Sequence, residues 1–147
     1  MPGSLRKRSF NRMLCEAAAE AAPDDVEIGI FDDVTSISPF NEDVEAATGY
    51  GPEPVRALRR RVAAADGLLL ATPEYNQSVP GVLKNMLDWL SRPGPEEVLA
   101  GKPVAVIGAS SGPWGTRLAQ KGLRHILNAT ESLVLPGQAM FVRNAAD

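Results

Sequence analysis

The apolar residues form short runs and spaced stripes that predict alternating strands and helices. Two continuous apolar runs, residues 68–71 and 104–109, are typical of strands buried on both faces. A stripe with helical spacing follows each run. The first stripe consists of Val82, Leu83, Met86, Leu87 and Leu90, and the second of Leu118, Leu123, Ile126 and Leu127.

Weaker patterns complete the prediction. Alternation over residues 26–31 predicts a strand, and stripes within 10–21 and 52–65 predict helices. Residues 32–51 are expected to form a loop, and the arginines at 56 and 59–61 to form a solvated face. Two short apolar segments, 132–135 and 139–142, predict one final strand split around Pro136 and Gly137. Strands alternating with helices indicate an α/β fold with a parallel sheet.

The loop after the first buried run is the most informative stretch. It runs from Thr72 to Pro80, between the end of a predicted strand and the start of a helix. In open α/β sheets, ligands bind at this position. Hydrogen-bonding groups and one flat aromatic face occupy the loop, which makes it a candidate binding loop. On composition alone, a plain surface loop remains the alternative.

The amino-terminal residues suit a phosphate group. Ser4, Ser9 and Asn11 offer side-chain donors just before or within the start of a predicted helix, where backbone N–H groups favour an anion. Arg6 adds a guanidinium that pairs with phosphate through two hydrogen bonds. Taken alone, such a basic, serine-containing start is equally typical of a disordered tail.

These stretches together resemble one family. Residues 73–76, 78–85 and 88–89 are similar to the signature of the NAD(P)H-dependent FMN reductases, a flavodoxin-like family that includes quinone, chromate and azo reductases. Residues 3–11 resemble its FMN phosphate loop, and residues 108–112 resemble a stretch that lies against the flavin. Gln77 departs from the pattern, because glycine is common there.

The resemblance implies a single domain over residues 1–147, with a three-layer, doubly wound parallel sheet in the order 2-1-3-4-5. It implies FMN as cofactor and NADPH or NADH as co-substrate. The cofactor supplies the hydride chemistry, so no catalytic side chain and no metal ligand is predicted. The residues implied to bind the cofactor are Ser4, Arg6, Ser9, Phe10, Asn11, Pro73, Glu74, Tyr75, Asn76, Ser110, Ser111 and Gly112.

The chain departs from the family at both ends. An apolar strand normally precedes the phosphate loop, yet only Met1 and Pro2 precede Gly3 here. The family also normally adds a helix after the final strand. We therefore expect the sheet to lack its first strand and the fold to lack its carboxyl-terminal helix.

The function that the resemblance implies is transfer of electrons from NAD(P)H through bound FMN to quinones or similar small acceptors. A flavin-binding module that is degenerate or non-catalytic is the main alternative. A serine hydrolase is more distant: residues 108–112 match the G-x-S-x-G nucleophile elbow. However, the single histidine, His125, lies just downstream, with no acid between it and Ser110, and Pro113 interrupts the following helix.

Composition limits which binding partners and which cellular compartment we expect. A net charge of −3 and a pI of about 5.2 give no reason to expect nucleic acid. Cys15 is the only cysteine, which excludes an internal disulfide and indicates a reducing cytoplasm. No apolar run is long enough to predict a membrane span. The expected partner is a small-molecule electron acceptor.

A homodimer or tetramer is also expected. Lys84, Asn85, Asp88 and Trp89 are predicted to lie away from the stripe that packs on the sheet. A large aromatic residue on the outer side of a helix often marks an interface. In a two-fold contact, Lys84 of one subunit would meet Asp88 of the other.

Overall fold

The computed structural model describes residues 1–93, 97–137 and 139–146. A short 3-10 turn, Val34–Ser36, precedes the second helix. The helices are α1 (Phe10–Glu20), α2 (Glu42–Thr48), α3 (Glu53–Ala64), α4 (Gly81–Leu90) and α5 (Arg117–Ala129). The strands are β1 (Leu68–Ala71), β2 (Pro103–Ala109), β3 (Leu133–Val134) and β4 (Met140–Val142). The predicted loop over residues 32–51 thus contains a 3-10 turn and α2.

The sheet is parallel and centred on β2. Strand β1 pairs with β2 on one side, with Leu68 opposite Val104. Strands β3 and β4 both pair with β2 on its other side. The predicted split of the last strand is therefore confirmed, because its two pieces extend the same edge one after the other.

The first residues of the chain lie beside β1. Pro2 forms a parallel bridge with Ala71, and the backbone N–H of Gly3 donates to the Ala71 carbonyl at 2.8 Å. Residues 1–3 thus occupy the position in the sheet that was expected to be vacant. Across the sheet, the order is residues 1–3, then β1, then β2, then β3 and β4.

The strand predicted over residues 26–31 does not form. Polar and apolar residues alternate over residues 26–31, but this segment has no ladder partner among the described residues. Side chains from α3 hold the segment instead: Arg61 donates to the Ile30 carbonyl at 3.2 Å and lies 5.4 Å from the centre of the Phe31 ring. Alternation reports which side chains are buried, whereas a strand also requires a neighbouring strand in register.

Helices cover both faces of the sheet. Leu70, Val104 and Val106 join one apolar core with residues of α3, α4 and α5. Successive strand residues point to opposite faces, and α1 packs against β1 and β2 on the other face. Cys15 of α1 is buried there, and burial raises the pKa of its thiol. The result is the three-layer α/β arrangement that the sequence predicts.

The arginines of α3 do not all face solvent, contrary to the prediction. Arg59 is buried and donates to the carbonyls of Trp89 and Arg92, each at 3.1 Å, at the end of α4. A cation suits that place because the last carbonyls of a helix lack intrahelical partners. Arg56 and Arg60 stay on the outer side and form ion pairs with Glu53.

None of the helices in the described part of the chain is long and apolar enough to cross a lipid bilayer.

Candidate functional site

Three loops meet at the carboxyl edge of the parallel sheet. The first covers residues 4–9 and follows the segment that pairs with β1. The second covers residues 72–80 and follows β1, and the third covers residues 110–116 and follows β2. Neighbouring parallel strands end on the same side, so the sheet brings the three loops together there.

The first loop leads into the amino terminus of α1. Ser9 is the N-cap, and its Oγ accepts from the Arg12 N–H at 3.4 Å. The first backbone N–H groups of a helix have no intrahelical acceptor, and here they face a loop with exposed basic residues at positions 6–8. Arg6 lies 5.8 Å from the centre of the Phe10 ring. This region favours an anion.

The second loop is a tight reversal. Tyr75 and Ser78 exchange both backbone hydrogen bonds, at 3.1 and 3.0 Å. Asn76 and Gln77 between them have φ of 49° and 61°, the geometry of a type I′ turn. Glycine and asparagine adopt that geometry most easily, so Gln77 occupies it at a conformational cost.

An aromatic residue connects the first two loops. Tyr75 is 48% exposed, and its hydroxyl lies 3.5 Å from the Ser4 Oγ. Pro73, two residues earlier in the loop, is buried. The ring therefore stands open to a ligand at the junction between the loops.

Glu74 points away from this junction and caps another helix. Its Oε2 accepts from the N–H groups of Leu118 and Ala119, at 2.8 and 2.9 Å, in the first turn of α5. A carboxylate there satisfies two unpaired donors and complements the helix dipole. The side chain is thus engaged within the protein rather than presented to a ligand.

Asn11 has a similar internal role. It is buried, its Nδ2 donates to the Ala109 carbonyl, and its Oδ1 accepts from the Ala109 N–H, both at 2.9 Å. These paired bonds fasten the start of α1 to the end of β2. The phosphate-loop residue predicted to act as a donor to a ligand instead fixes the distance between two loops.

The third loop is tied to the end of β4. The Ser110 N–H donates to the Val142 carbonyl at 3.0 Å, and the Ser110 Oγ accepts from the Gly112 N–H at 3.1 Å. At the root of the loop, a Cβ added to Gly108 would lie 2.0 Å from the Thr116 Oγ1 and 2.5 Å from the Thr72 carbonyl oxygen. Only glycine allows this approach of two loops. Ser111 is exposed at the tip.

The hydrolase alternative finds no support in this geometry. The Ser110 Oγ has a backbone N–H as its hydrogen-bond partner. Helix α5 begins at Arg117, well after the serine, whereas a nucleophile elbow leads straight into a helix. His125 lies in the third turn of α5 and is exposed.

Part of the outer side of α4 is buried within the same chain, which corrects the role expected of Trp89 at an interface. Trp89 is 1% exposed, donates its indole N–H to the Ser38 carbonyl at 2.8 Å, and packs edge-on against Phe40 with ring centres 4.9 Å apart. Asn85 accepts from the Phe40 N–H at 2.7 Å. Residues 37–40 thus cover the side of α4 that carries Asn85 and Trp89, whereas Lys84 and Asp88 keep 46% and 36% of their side chains exposed.

The predicted pair between subunits is also satisfied internally. Lys84 Nζ lies 2.5 Å from Asp88 Oδ1 on the same helix. Asn85 and Trp89 were not predicted to fix the loop over residues 37–40. The sequence feature that could have indicated this role is an amide and an indole four residues apart on a helix. Side chains at that spacing lie side by side and can both bind the backbone of one neighbouring segment.

The assembled site has two chemically different ends. Beside the start of α1 it offers basic side chains, hydroxyls and free backbone donors. At the second loop it offers exposed Tyr75, and Leu5 of the first loop is exposed as well. This combination fits a flat, phosphorylated ligand, with its anionic group at α1 and its ring at the loops after β1 and β2.

Comparisons with known proteins agree with this arrangement. The chain is 42% identical over 142 residues to a 2-hydroxy-1,4-benzoquinone reductase of a Burkholderia species, covering 97% of this chain and 75% of the relative. It is 42% identical over 133 residues to the quinone reductase of Escherichia coli K12, covering 90% and 70%.

A solved structure agrees as well. The flavoenzyme NAD(P)H:(acceptor) oxidoreductase FerB from Paracoccus denitrificans matches with a TM-score of 0.88 and 35% identity, over 97% of this chain and 76% of that one. The sequence profile described as NADPH-dependent FMN reductase matches residues 1–147. The chain therefore belongs to the NADPH-dependent FMN reductase family.

Proposed function

We propose that this protein binds FMN across its three carboxyl-edge loops and passes electrons from NAD(P)H to quinones or similar small acceptors. The observation that carries the proposal is the convergence of a basic helix start with an exposed aromatic loop, joined by the 3.5 Å contact between Ser4 and Tyr75. One end suits a phosphate and the other a flat ring.

The FMN phosphate is held at the start of α1. Arg6 is exposed and supplies a guanidinium, which makes charge-assisted bonds with phosphate oxygens. Ser4 supplies a hydroxyl, and Phe10 supplies a backbone N–H of the first helical turn. Ser9 acts chiefly as the cap that keeps these donors in place.

The flavin ring is held between the second and third loops. Tyr75 and Asn76 are exposed in the turn after β1, and the loop from Ser110 to Gly112 lies after β2. Backbone N–H groups at the tips of these loops would stabilise negative charge on the ring. Pro73 is buried and keeps the base of the second loop rigid.

Glu74 and Asn11 contribute to cofactor binding by fixing the positions of the loops. Their side chains hold α5 and Ala109, so their share in cofactor binding lies in the shape of the loops and in their own backbone groups. When bound, FMN supplies hydride acceptance and electron donation. The chain's own residues bind and orient the ring and leave one face accessible, and no acid–base side chain is required of them.

The acceptor class follows from chemistry shared with the relatives, two of which are named as quinone reductases. The cytoplasm, which the sequence predicts, is the expected compartment. A homodimer or tetramer also remains a prediction. Trp89 itself would not contact the second subunit, because its side chain is 1% exposed and packs against Phe40 of the same chain.

A purified sample tests the proposal directly. The protein should be yellow or bind added FMN, bleach when NADPH is added, and regain colour with a benzoquinone. Arg6→Ala should weaken FMN binding about tenfold or more, since one charge-assisted bond is lost. Arg60→Ala on α3 removes an equivalent exposed charge and should leave FMN affinity unchanged.

Two outcomes would contradict the proposal. Colour without bleaching by either nucleotide would favour a non-catalytic flavin-binding module. FMN affinity unchanged by Arg6→Ala would place the phosphate elsewhere.

A further inference from the structure

Trp114 is the starting observation. It is 68% exposed, more than any other large apolar side chain in the described residues. It stands in the third loop, between β2 and α5, at the carboxyl edge of the sheet. A single exposed apolar residue is ordinary on a protein surface, so its meaning depends on its neighbours.

The Arg117 guanidinium contacts Trp114, and Arg143 lies beside the next residue, Gly115. The Arg117 Cζ lies 5.7 Å from the centre of the Trp114 ring, a cation–π contact. The residue after Trp114, Gly115, has φ of +66°, and a Cβ there would lie 3.0 Å from the Phe141 Cβ and 3.5 Å from the Arg143 Cγ. The stem of Arg143 therefore passes close to the backbone of Gly115.

Arg143 is held firmly against the third loop. On one side of it, the Val142 carbonyl accepts from the Ser110 N–H at 3.0 Å. On the other side, the Asn144 N–H donates to the Gly112 carbonyl at 3.2 Å. The loop implied to contact the flavin and the segment carrying Arg143 are thus one hydrogen-bonded unit.

The local charge is positive. Within the part of the chain that the structure describes, neither Arg117 nor Arg143 forms an ion pair. The carboxylate of Glu74, from the second loop, lies at the start of α5, where its Oε2 accepts from the Leu118 and Ala119 N–H groups. Lys121, one turn further along α5, is exposed and adds a third positive charge.

We propose that Trp114, Arg117 and Arg143 bind the adenosine 2′-phosphate half of NADPH and make the enzyme prefer NADPH to NADH. This inference rests on the proposed function, because it places the co-substrate beside the flavin loops. The indole stacks on adenine. The guanidinium groups pair with the 2′-phosphate, a phosphomonoester with a charge near −2 and three acceptor oxygens.

This chemistry separates the possible ligands. A quinone offers a ring but no phosphate, and NADH offers adenine but no 2′-phosphate. FMN has its own phosphate site at α1, at the start of a different helix. Adjacent aromatic and guanidinium groups match the one ligand that carries a ring and a phosphomonoester on neighbouring atoms of one sugar.

Steady-state kinetics of the FMN-loaded enzyme test the proposal. Arg117→Ala and Arg143→Ala should each raise KM for NADPH about tenfold, the effect of losing one charge-assisted bond. KM for NADH and for the quinone, and the FMN content, should stay unchanged. Arg60→Ala is the matched control, and Arg117→Lys should recover part of the NADPH affinity because it restores the charge.

A binding measurement gives an independent readout. Trp114 is one of two tryptophans, and the other, Trp89, is buried. Titration of the FMN-loaded protein with adenosine 2′,5′-bisphosphate should quench fluorescence from Trp114, and Trp114→Phe should abolish that change. Adenosine 5′-monophosphate should bind about tenfold more weakly in the unsubstituted protein.

The failures are distinguishable. Equal rises in KM for NADH and NADPH, or an unchanged KM for NADPH in both arginine variants, would overturn this inference alone. Failure of both nucleotides to bleach the flavin would contradict the proposed function, while the titration with the bisphosphate would still decide whether the site exists.

Discussion

The polar and aromatic residues of the three loops, of α1 and of α4 fall into two regions with opposite roles. On the outer face of α4 and at the roots of the loops, side chains turn inward: Trp89 binds the Ser38 carbonyl, and Asn11 binds Ala109. At the loop tips, Tyr75 and Trp114 stay exposed. Both groups occur within the same short stretches of sequence. A motif near a binding site therefore contains residues that build the site as well as residues that touch the ligand.

The two tryptophans provide the strongest test of this difference. Trp89→Ala should lower the free energy of unfolding by about 3–5 kcal/mol, because it leaves a cavity and removes one of the two hydrogen bonds that the Ser38 carbonyl accepts. Trp114→Ala should change it by less than about 0.5 kcal/mol, since that side chain is largely in solvent. Urea unfolding of both variants measures the contrast, and similar losses in the two would remove the distinction between the regions.

Two asparagines repeat the comparison at smaller scale. Asn11→Ala should cost about 2–4 kcal/mol, because it leaves two buried backbone groups of Ala109 unpaired, each worth about 1–3 kcal/mol. The control is Asn128→Ala, since Asn128 is exposed on α5. Thermal unfolding that ranks Asn128 as the more costly site would contradict the internal role given to Asn11.

A substitution at Glu74 tests whether a residue implied to bind the cofactor instead stabilises the start of α5. Glu74→Gln should reduce stability by about 1 kcal/mol, the usual worth of a capping carboxylate at a helix start. FMN affinity should fall only slightly, because the side chain contacts α5. Chemical unfolding and flavin titration on the same variant decide between the two roles. A large loss of FMN affinity at unchanged stability would place Glu74 among the ligand-contacting residues.

The smallest effect is expected at an exposed ion pair. Hydrogen bonds from Arg60 and Arg56 hold the pKa of the Glu53 carboxyl below its ordinary value. The stabilisation is therefore present above the unfolded-state pKa of about 4.3 and is lost as the pH falls through the lower folded-state value. Glu53→Gln should lower Tm slightly at pH 7 and not at all at pH 2. A difference in Tm that persists at pH 2 would show that the ion pairs are not its cause.

The sequence predicted most of the architecture but less of the site. Apolar runs and helical stripes located β1, β2, α4 and α5, because burial on a sheet imposes those periods directly. The strand over residues 26–31 was wrong, since pairing depends on a neighbour that alternation does not report. The internal roles of Glu74 and Trp89 were missed for the same reason. Which partner a polar group finds is decided by distant segments, here α5 and residues 37–40.

Gly108 has a practical consequence for anyone who wishes to change what this protein reduces. Engineers commonly randomise whole loops and keep variants with new acceptor preferences. Any side chain at Gly108 would collide with Thr116 and with the backbone of Thr72, so libraries that include this codon would mostly contain misfolded clones. Diversity concentrated on the exposed positions 111, 113 and 114 would instead sample new surfaces on an intact scaffold. The tolerance of the loop to mutation thus changes sharply within three residues.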